Sequence, residues 1–271
     1  MIKVGIMGIG KTGQHIAKGV LEQKNMKLVA AICSPKSDKK GMNLGTVLGG
    51  EATSIKITSS DELEDTIFKT KPDVIVDFSC PSATMENAKI LSSLKVNMVI
   101  GTTGFTEAEL EELSKMPYKF HNGIVYAPNI TLGVNTVMLI SNIAANILNG
   151  YDFQITETHH KHKKDSPSGT AVKLALEMER GLKSSGVYNK SIPINAIRAG
   201  GVVGKHKVEI IGKEDRIEIS HESFSRKAFA EGAIQAVNYI YKRSGYFEMK
   251  EVLDLKKVLH DYINSSTEVC L

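Results

Sequence analysis

Short β-branched runs alternate with longer stretches of helical period through the first half of the chain. Runs at 2–7, 28–33, 74–77, 98–100 and 124–126 read as strands, and 14–23, 61–69, 83–94 and 107–115 read as helices. Strands in alternation with helices of this length form βαβ units, so the pattern predicts an α/β domain with a doubly wound parallel sheet. The period changes after Pro128 and Asn129. Residues 134–148 are apolar almost all round, which predicts a helix buried between elements or between subunits. Beyond Gly150, runs at 153–159, 192–199, 207–211 and 217–223 read as strands of an open, mixed and mostly antiparallel sheet, interrupted by a helix at 171–181. Helices at 228–242 and 249–259 are expected to return to the first domain. The expected organisation is one domain over 1–129 joined by 229–271, and an α+β domain over 130–228.

A length of 271 residues suits two modest domains. With 42% hydrophobic and 24% charged residues the chain has enough apolar surface to bury a core, which excludes disorder as its main theme. No apolar run approaches the roughly 18 residues of a membrane span, and the N-terminus enters a strand pattern without a signal-peptide shape; a soluble, cytoplasmic protein with no membrane partner is expected. Cys33, Cys80 and Cys270 lie far apart without CxxC or Cys/His metal spacing, so neither a disulfide scaffold nor a structural zinc is expected. The 34 basic against 30 acidic residues leave a net charge of +4, too mild to require a nucleic acid. The absence of tryptophan also argues against a base-stacking surface.

The first candidate site is Gly8-Ile9-Gly10-Lys11-Thr12-Gly13, placed directly between a strand and a helix. In that context Gly8 permits the tight turn, Gly10 lets the backbone approach a pyrophosphate, and Gly13 lets the helix pack close to the strand. The helix N-terminus adds N–H donors and a positive dipole end, so 1–129 is read as dinucleotide-binding. Where NAD enzymes often carry an acid for the ribose, this chain has Ser34 and Lys36 after Cys33, a hydroxyl and a cation compatible with a 2′-phosphate. NADPH, NADH or both are therefore the expected cofactors. Two later turns, Gly101-Thr102-Thr103-Gly104 and Ala127-Pro128-Asn129-Ile130, fall where the carboxyl ends of strands should line the same crevice. A plain tight turn after a buried strand accounts for either one taken alone.

The second candidate site runs from Glu157 to Thr170 and includes the basic run 159–164. On a continuing strand His159 and His160 face opposite ways, so one of them points into a given pocket. Pro167 precedes Ser168-Gly169-Thr170, whose N–H groups and hydroxyls would open the next helix as a carboxylate site, with lysine and histidine cations beside it. Adjacent histidines diverge and no carboxylate or thiolate has suitable spacing, so no metal is expected. Histidine also suits acid–base work near neutrality.

These segments, above all His159-His160-x-His162-Lys163-x-Asp165-Ser166-Pro167-Ser168-Gly169-Thr170-Ala171, resemble the dihydrodipicolinate reductase family. The resemblance continues through Arg198-Ala199-Gly200, Val203-Gly204, Phe229-Ala230-x-Gly232-Ala233 and Val252-Leu253-Asp254-Leu255, nearly the whole chain. It implies a Rossmann-like N-terminal domain for the cofactor, and a second domain that binds a small dicarboxylate and builds a homotetramer. It implies further that His159 is the acid/base group and Lys163 a proton donor, with His160, Gly169 and Thr170 on the substrate's carboxylates. The reaction implied is reduction of 4-hydroxy-tetrahydrodipicolinate with loss of water, in diaminopimelate and lysine synthesis. Two departures bear on cofactor choice: the glycine loop is one residue shorter than the longer family form, and Cys33 and Ser34 replace an acid and an arginine. The segment between Gly181 and Ile192 is also short. The alternatives are another two-domain amino-acid or imine dehydrogenase, and a nucleotide-sensing regulator whose basic loop contacts DNA or a protein.

Overall fold

The computed structural model describes residues 1–265 and divides into two compact units. The first comprises Met1–Ile130 and the chain from Phe229 onward, the second Thr131–Ala228. In the first unit the order is β1 (Ile2–Met7), α1 (Lys11–Leu21), β2 (Met26–Cys33), α2 (Leu44–Val47), β3 (Thr58–Ser59), α3 (Leu63–Thr70), β4 (Val74–Asp77), α4 (Pro81–Ser93), β5 (Asn97–Ile100), α5 (Glu107–Phe120) and β6 (Gly123–Tyr126). The second unit holds α6 (Leu132–Ile147), β7 (Asp152–His159), α7 (Gly169–Ser184), β8 (Ile194–Arg198), β9 (Lys205–Ile211) and β10 (Arg216–Glu222). The chain then re-enters the first unit along α8 (Lys227–Ile240), followed by β11 (Gly245–Glu248), α9 (Met249–Val252) and α10 (Leu255–Ser265).

The first unit carries a seven-stranded sheet in the order β11-β6-β5-β4-β1-β2-β3, every pair parallel. The doubly wound parallel reading therefore holds. Its strands are near-continuous apolar runs because helices cover both faces of a parallel sheet. On one face Met7, Ile32, Ile75, Met98, Ile100 and Ile124 pack with Leu63 and Ile67 of α3, Leu91 of α4 and Leu113 of α5. Helices α1 and α8 come close at Gly19, where a Cβ would stand 3.1 Å from Ala230 and Ile234.

The second unit's sheet runs β10-β9-β7-β8, with β7 and β8 parallel and the other pairs antiparallel, the expected mixed sheet. Helices α6 and α7 cover it over a core that includes Phe153, Ile155, Leu174, Met178, Val208 and Ile210. Within the single chain α6 buries Val134, Val137, Met138 and Ala145, whereas Ile140 is 44% and Ile147 70% exposed. The reason lies in what faces α7: Asn142 Nδ2 donates to Glu177 O at 2.8 Å and Asn146 Nδ2 to Gly181 O at 3.2 Å, while a side chain at Gly181 would overlap the Asn142 carbonyl. Polar and small residues make that contact beside the buried Val134, Val137, Met138 and Ala145, and Ile140 and Ile147 are left outside it.

Other differences have local causes. Helix α5 runs through Pro117 to Phe120, beyond its expected end at Lys115; Thr106 and Glu109 start it with a capping box and His121 closes it in the left-handed region. The expected helix 249–259 is split at Asp254, also left-handed. The strand β11, the two-residue β3 and the one-turn α2 were not expected. Cys33 is buried and Cys80 exposed, both free thiols, whereas Cys270 and the expected return of 266–271 lie outside the described residues. No described helix is long and apolar enough to cross a membrane.

Candidate active site

Strand β1 lies between β2 and β4, so the chain reverses its direction of winding there and leaves a crevice at the carboxyl ends of β1 and β4. The glycine loop leaves β1 at this point. Gly8 has φ +89°, and a Cβ on it would overlap the Phe78 carbonyl; a Cβ on Gly13 would overlap the Gly8 carbonyl oxygen. Packing of the turn therefore demands the first and third glycines. Gly10 differs: it caps α1, and nothing lies within 4 Å of where its Cβ would be. That open space lies at the helix N-terminus, where an anion is favoured. The chain thus fits a dinucleotide through backbone and emptiness, with Lys11 exposed and Thr12 half-buried at the helix start.

Ile9 offers only its backbone, because its side chain is buried. Its carbonyl accepts from Lys39 Nζ at 2.8 Å and from Gln14 Nε2 at 3.3 Å. Lys39 was not singled out by sequence reasoning, yet it is the lysine of the loop after β2 that touches the glycine turn. Ser34 and Lys36 are exposed in the same loop, and Lys40 is engaged with Asp61 and Glu62. Spacing along a loop with three lysines at 36, 39 and 40 does not reveal which one turns inward.

The later turns are braced from below. Thr102, in a turn expected to border the cofactor crevice, is buried and donates to Asp77 Oδ1 at 3.3 Å. Ser79 N–H donates to the same oxygen at 2.8 Å and to Thr102 Oγ1 at 3.0 Å. Burial pushes the Asp77 carboxyl above its ordinary range against the bonds from Ser79, Thr84 and Thr102. A side chain at Gly101 would overlap the Phe78 ring, so this glycine serves packing, while Thr103 is exposed. Ala127, Asn129 and Ile130 are buried and Pro128 half-buried, and Gly232 of α8 lets the chain pass close to the Ile130 carbonyl.

A cavity of about 600 Å³ lies at the opposite edge of this sheet, around Lys71, Lys95, His121 and Lys242. These four left-handed residues follow α3, α4, α5 and α8. The lysine ammoniums among them stand by the negative ends of the helix dipoles, which accounts for them without a ligand.

In the second unit, Phe153, Ile155, Glu157 and His159 share one face of β7 by the period-two rule. The first two join the apolar core; the next two begin a polar layer. Glu157 lies opposite His206 of β9 and Ala196 of β8, His159 lies opposite Arg198, and His221 of β10 lies opposite His206. Glu157 is fully buried. Its Oε1 accepts from Arg198 Nη2 at 2.8 Å and from the Ser168 N–H at 3.1 Å, and its Oε2 meets His159 Nδ1. The His159 and His206 rings stand edge to face at 5.1 Å.

Burial penalises the Glu157 carboxylate, yet Arg198, the Ser168 N–H and His159 together hold it below the ordinary range. Burial lowers His159 against the opposing pull of Glu157, with Lys163 and Arg198 adding to the fall. Burial first, and then neighbouring His159, bring His206 down to about 4, so it is neutral near pH 7. Burial lowers His221 as well.

The expected site residues are distributed as follows. His160 lies just past the strand, with its N–H donating to Val202 O at 2.7 Å and its Nδ1 buried without a partner among the described residues. Lys163 Nζ lies 2.8 Å from Asp165 Oδ1. Ser168, expected beside the substrate at the helix start, is buried; its Oγ caps α7 by accepting the Ala171 N–H at 3.2 Å, and it meets His206 Nε2 at 3.2 Å. The turn instead offers Gly169, exposed and open, and half-buried Thr170. Sequence reasoning missed Glu157, His206 and Arg198 as partners of His159. A period-two signal for Glu157 was available, since it sits two residues before His159 on the strand.

Glu157, His159 and His206 bring possible ligand atoms within 4.8 Å of one another, so the strand register supplies a carboxylate that sequence spacing had not. They do not fit a resident cation, because Glu157 is already engaged by the Arg198 guanidinium, the Ser168 N–H and His159.

Two family models match the chain: dihydrodipicolinate reductase, N-terminus, over residues 2–130, and dihydrodipicolinate reductase, C-terminus, over 133–253. The chain belongs to the dihydrodipicolinate reductase family. Among named relatives, the 4-hydroxy-tetrahydrodipicolinate reductase of Methanocaldococcus jannaschii is 39% identical over 95% of this chain and 99% of its own. That of Ralstonia nicotianae is 38% identical over 94% and 100%. The solved structure of dipicolinate-bound dihydrodipicolinate reductase from Paenisporosarcina sp. TG-14 superposes with a TM-score of 0.74 at 28% identity, covering 92% of this chain and 97% of that one. Membership makes the protein a nicotinamide-dependent oxidoreductase of the lysine and diaminopimelate route.

Proposed function

We propose that the protein reduces 4-hydroxy-tetrahydrodipicolinate to tetrahydrodipicolinate with loss of water, and that the residues of its two units divide the work. The reduced nicotinamide, when bound, supplies the hydride. In the first unit the Gly8–Gly13 backbone and the α1 N-terminus hold the dinucleotide phosphates, and the turns at Gly101–Thr103 and Ala127–Ile130 border the same crevice. Ser34, Lys36 and Lys39 receive a 2′-phosphate, which favours NADPH while leaving NADH usable. In the second unit His160, Gly169 and Thr170 hold the dicarboxylate. Lys163 and His159 offset the negative charge that builds on the ring nitrogen and deliver the proton.

The observation that carries this reading is His159, buried and held by a carboxylate, close in the chain to an open helix N-terminus flanked by cations. A homotetramer assembled through the second unit is supported by the exposed Ile140, Ile147, Val172 and Leu176 of α6 and α7. A cytoplasmic site of action is consistent with the absence of a spanning helix among the described residues.

The test is loss of reduced-nicotinamide absorbance with substrate made in situ from pyruvate and aspartate semialdehyde by the preceding synthase. NADPH and NADH are compared, and a planar pyridine dicarboxylate is added as inhibitor. Oxidation of either cofactor, inhibited competitively with substrate, is the expected result. No oxidation with the coupling enzyme verified would overturn the assignment. The ratio of the two kcat/KM values reads out the cations after β2.

A further inference from the structure

His159 reaches its environment through two nitrogens, and the structure treats them differently. Nδ1 meets Glu157 Oε2. The other oxygen of that carboxylate is held by Arg198 Nη2 at 2.8 Å and by the Ser168 N–H at 3.1 Å. Arg198 is itself held, donating from Nη2 to the Asp165 carbonyl at 2.5 Å. An ionised carboxylate only accepts, so the imidazole must carry a proton on Nδ1 to bond with it. The opposite side of the ring meets Gly204, where an added Cβ would stand 3.1 Å from Nε2 and 3.4 Å from Cδ2. Gly204 immediately precedes β9, the strand that pairs with β7. One carboxylate thus fixes one nitrogen, and one missing side chain leaves room at the other.

We propose that Glu157 is the positioning residue of this site, holding His159 in the Nδ1–H tautomer so that the imidazole exchanges its proton only through Nε2, on the side that Gly204 keeps open. The proposal rests on the reading of His159 as the acid of the reduction. In the step itself protonated His159 gives up Nε2–H to the negative charge developing on the substrate; the ring becomes neutral, and its Nδ1–H stays on Glu157. Arg198 and the Ser168 N–H keep the carboxylate ionised, so that it orients the ring without taking the proton. This is the division of labour between imidazole and carboxylate seen in hydrolytic triads.

The charged and titratable groups around His159 are Glu157 on its own strand, Arg198 on β8, His206 on β9 with His221 beyond it on β10, and Lys163 and Asp165 from the following loop. Of these Glu157 favours the imidazolium, whereas Lys163 and Arg198 oppose it, and His206 is neutral. Removing the Glu157 charge therefore lowers the pKa of His159 and shrinks its protonated fraction at a given pH.

The test combines steady-state kinetics of Glu157→Gln, Glu157→Asp, Gly204→Ala and His159→Gln with 15N NMR of histidine-labelled wild-type protein. In the wild type the neutral His159 ring is expected to show a protonated Nδ1 and a bare Nε2, a readout that needs no variant to fold. Glu157→Gln is expected to lower kcat roughly 100-fold, the scale of a general acid's contribution, and to move the loss of kcat with rising pH to lower pH, with cofactor affinity unchanged. Glu157→Asp is expected to recover part of kcat, and Gly204→Ala to lower kcat without moving the pH profile. A wild-type ring protonated on Nε2 when neutral, or a Glu157→Gln enzyme with an unaltered pH profile, would overturn the positioning role. Full activity in His159→Gln would instead overturn the underlying assignment of His159, so the two failures are distinguishable.

Discussion

The two units carry candidate sites made of opposite materials. The first unit prepares for its ligand with backbone and absent side chains: the glycines at 8, 10 and 13 and the first turn of α1. The second unit uses ionisable side chains, drawn from β7, β8 and β9 into one buried layer. A dinucleotide pyrophosphate is a fixed anion, best met by fixed N–H dipoles that need no protonation state. Proton delivery needs a group whose charge changes, and such a group must be buried with partners that set its pKa.

This contrast has breaking points of different size. The largest effect is expected at Gly8, where Ala would bring both a left-handed backbone and a clash with the Phe78 carbonyl. Gly8→Ala is expected to cost about 3 kcal/mol in urea unfolding, as strain and overpacking together do elsewhere. An unchanged unfolding midpoint would show that this turn relaxes freely.

His206 gives the next effect, and it depends on pH. Its folded pKa of about 4 lies below the ordinary 6.5, so the neutral ring contributes stability that is present above pH 6.5 and lost as pH falls towards 4. At 1.4 kcal/mol per pKa unit the loss is roughly 3 kcal/mol. Unfolding curves across that range should flatten in His206→Gln, and parallel curves for the two proteins would contradict the assignment.

Gly10 is the counterpart of Gly8 in the same loop. Its Cβ position is open, so Gly10→Ala is expected to change stability by no more than about 0.5 kcal/mol while weakening cofactor binding about tenfold. Fluorescence titration with NADPH beside a thermal melt would separate the two, and equal losses in both would erase the distinction between the glycines. The last expectation is a sign. Asp77 has a raised pKa in the folded state, so its contribution is present below the ordinary carboxylate range and lost as pH rises through its folded value. Asp77→Asn is expected to be the more stable protein at pH 7 and to lose that advantage in acid, opposite to the trend at His206. A lower melting temperature for Asp77→Asn at pH 7 would show that its bonds to Ser79 and Thr102 outweigh the burial of its charge.

The same contrast explains what could be read from the sequence. The glycine loop was legible because everything it needs lies within six consecutive residues flanked by a strand and a helix. The helix start after Pro167 was legible for the same reason, although the Ser168 hydroxyl is engaged with His206 and the α7 backbone. The partners of His159 were not, since Arg198 and His206 reach it only through pairing between strands distant in the chain. Lys39 was hidden for a different reason: among neighbouring loop lysines, only the path of the backbone decides which amine turns inward. Strand β11 was missed because Gly245-Tyr246-Phe247-Glu248 holds none of the β-branched residues that mark the other short strands, and its identity as a strand comes from pairing with β6.

That pairing has a consequence for the order in which the molecule is made. Strand β6 emerges from the ribosome with one edge unsatisfied, and its neighbour β11 follows only after the whole second unit has been synthesised. The second unit, continuous in the chain from Thr131 to Ala228, has all its strands in hand before the first unit can close its sheet. Nascent chains stopped short of Gly245 therefore carry a bare, apolar sheet edge, the kind of surface on which chains associate.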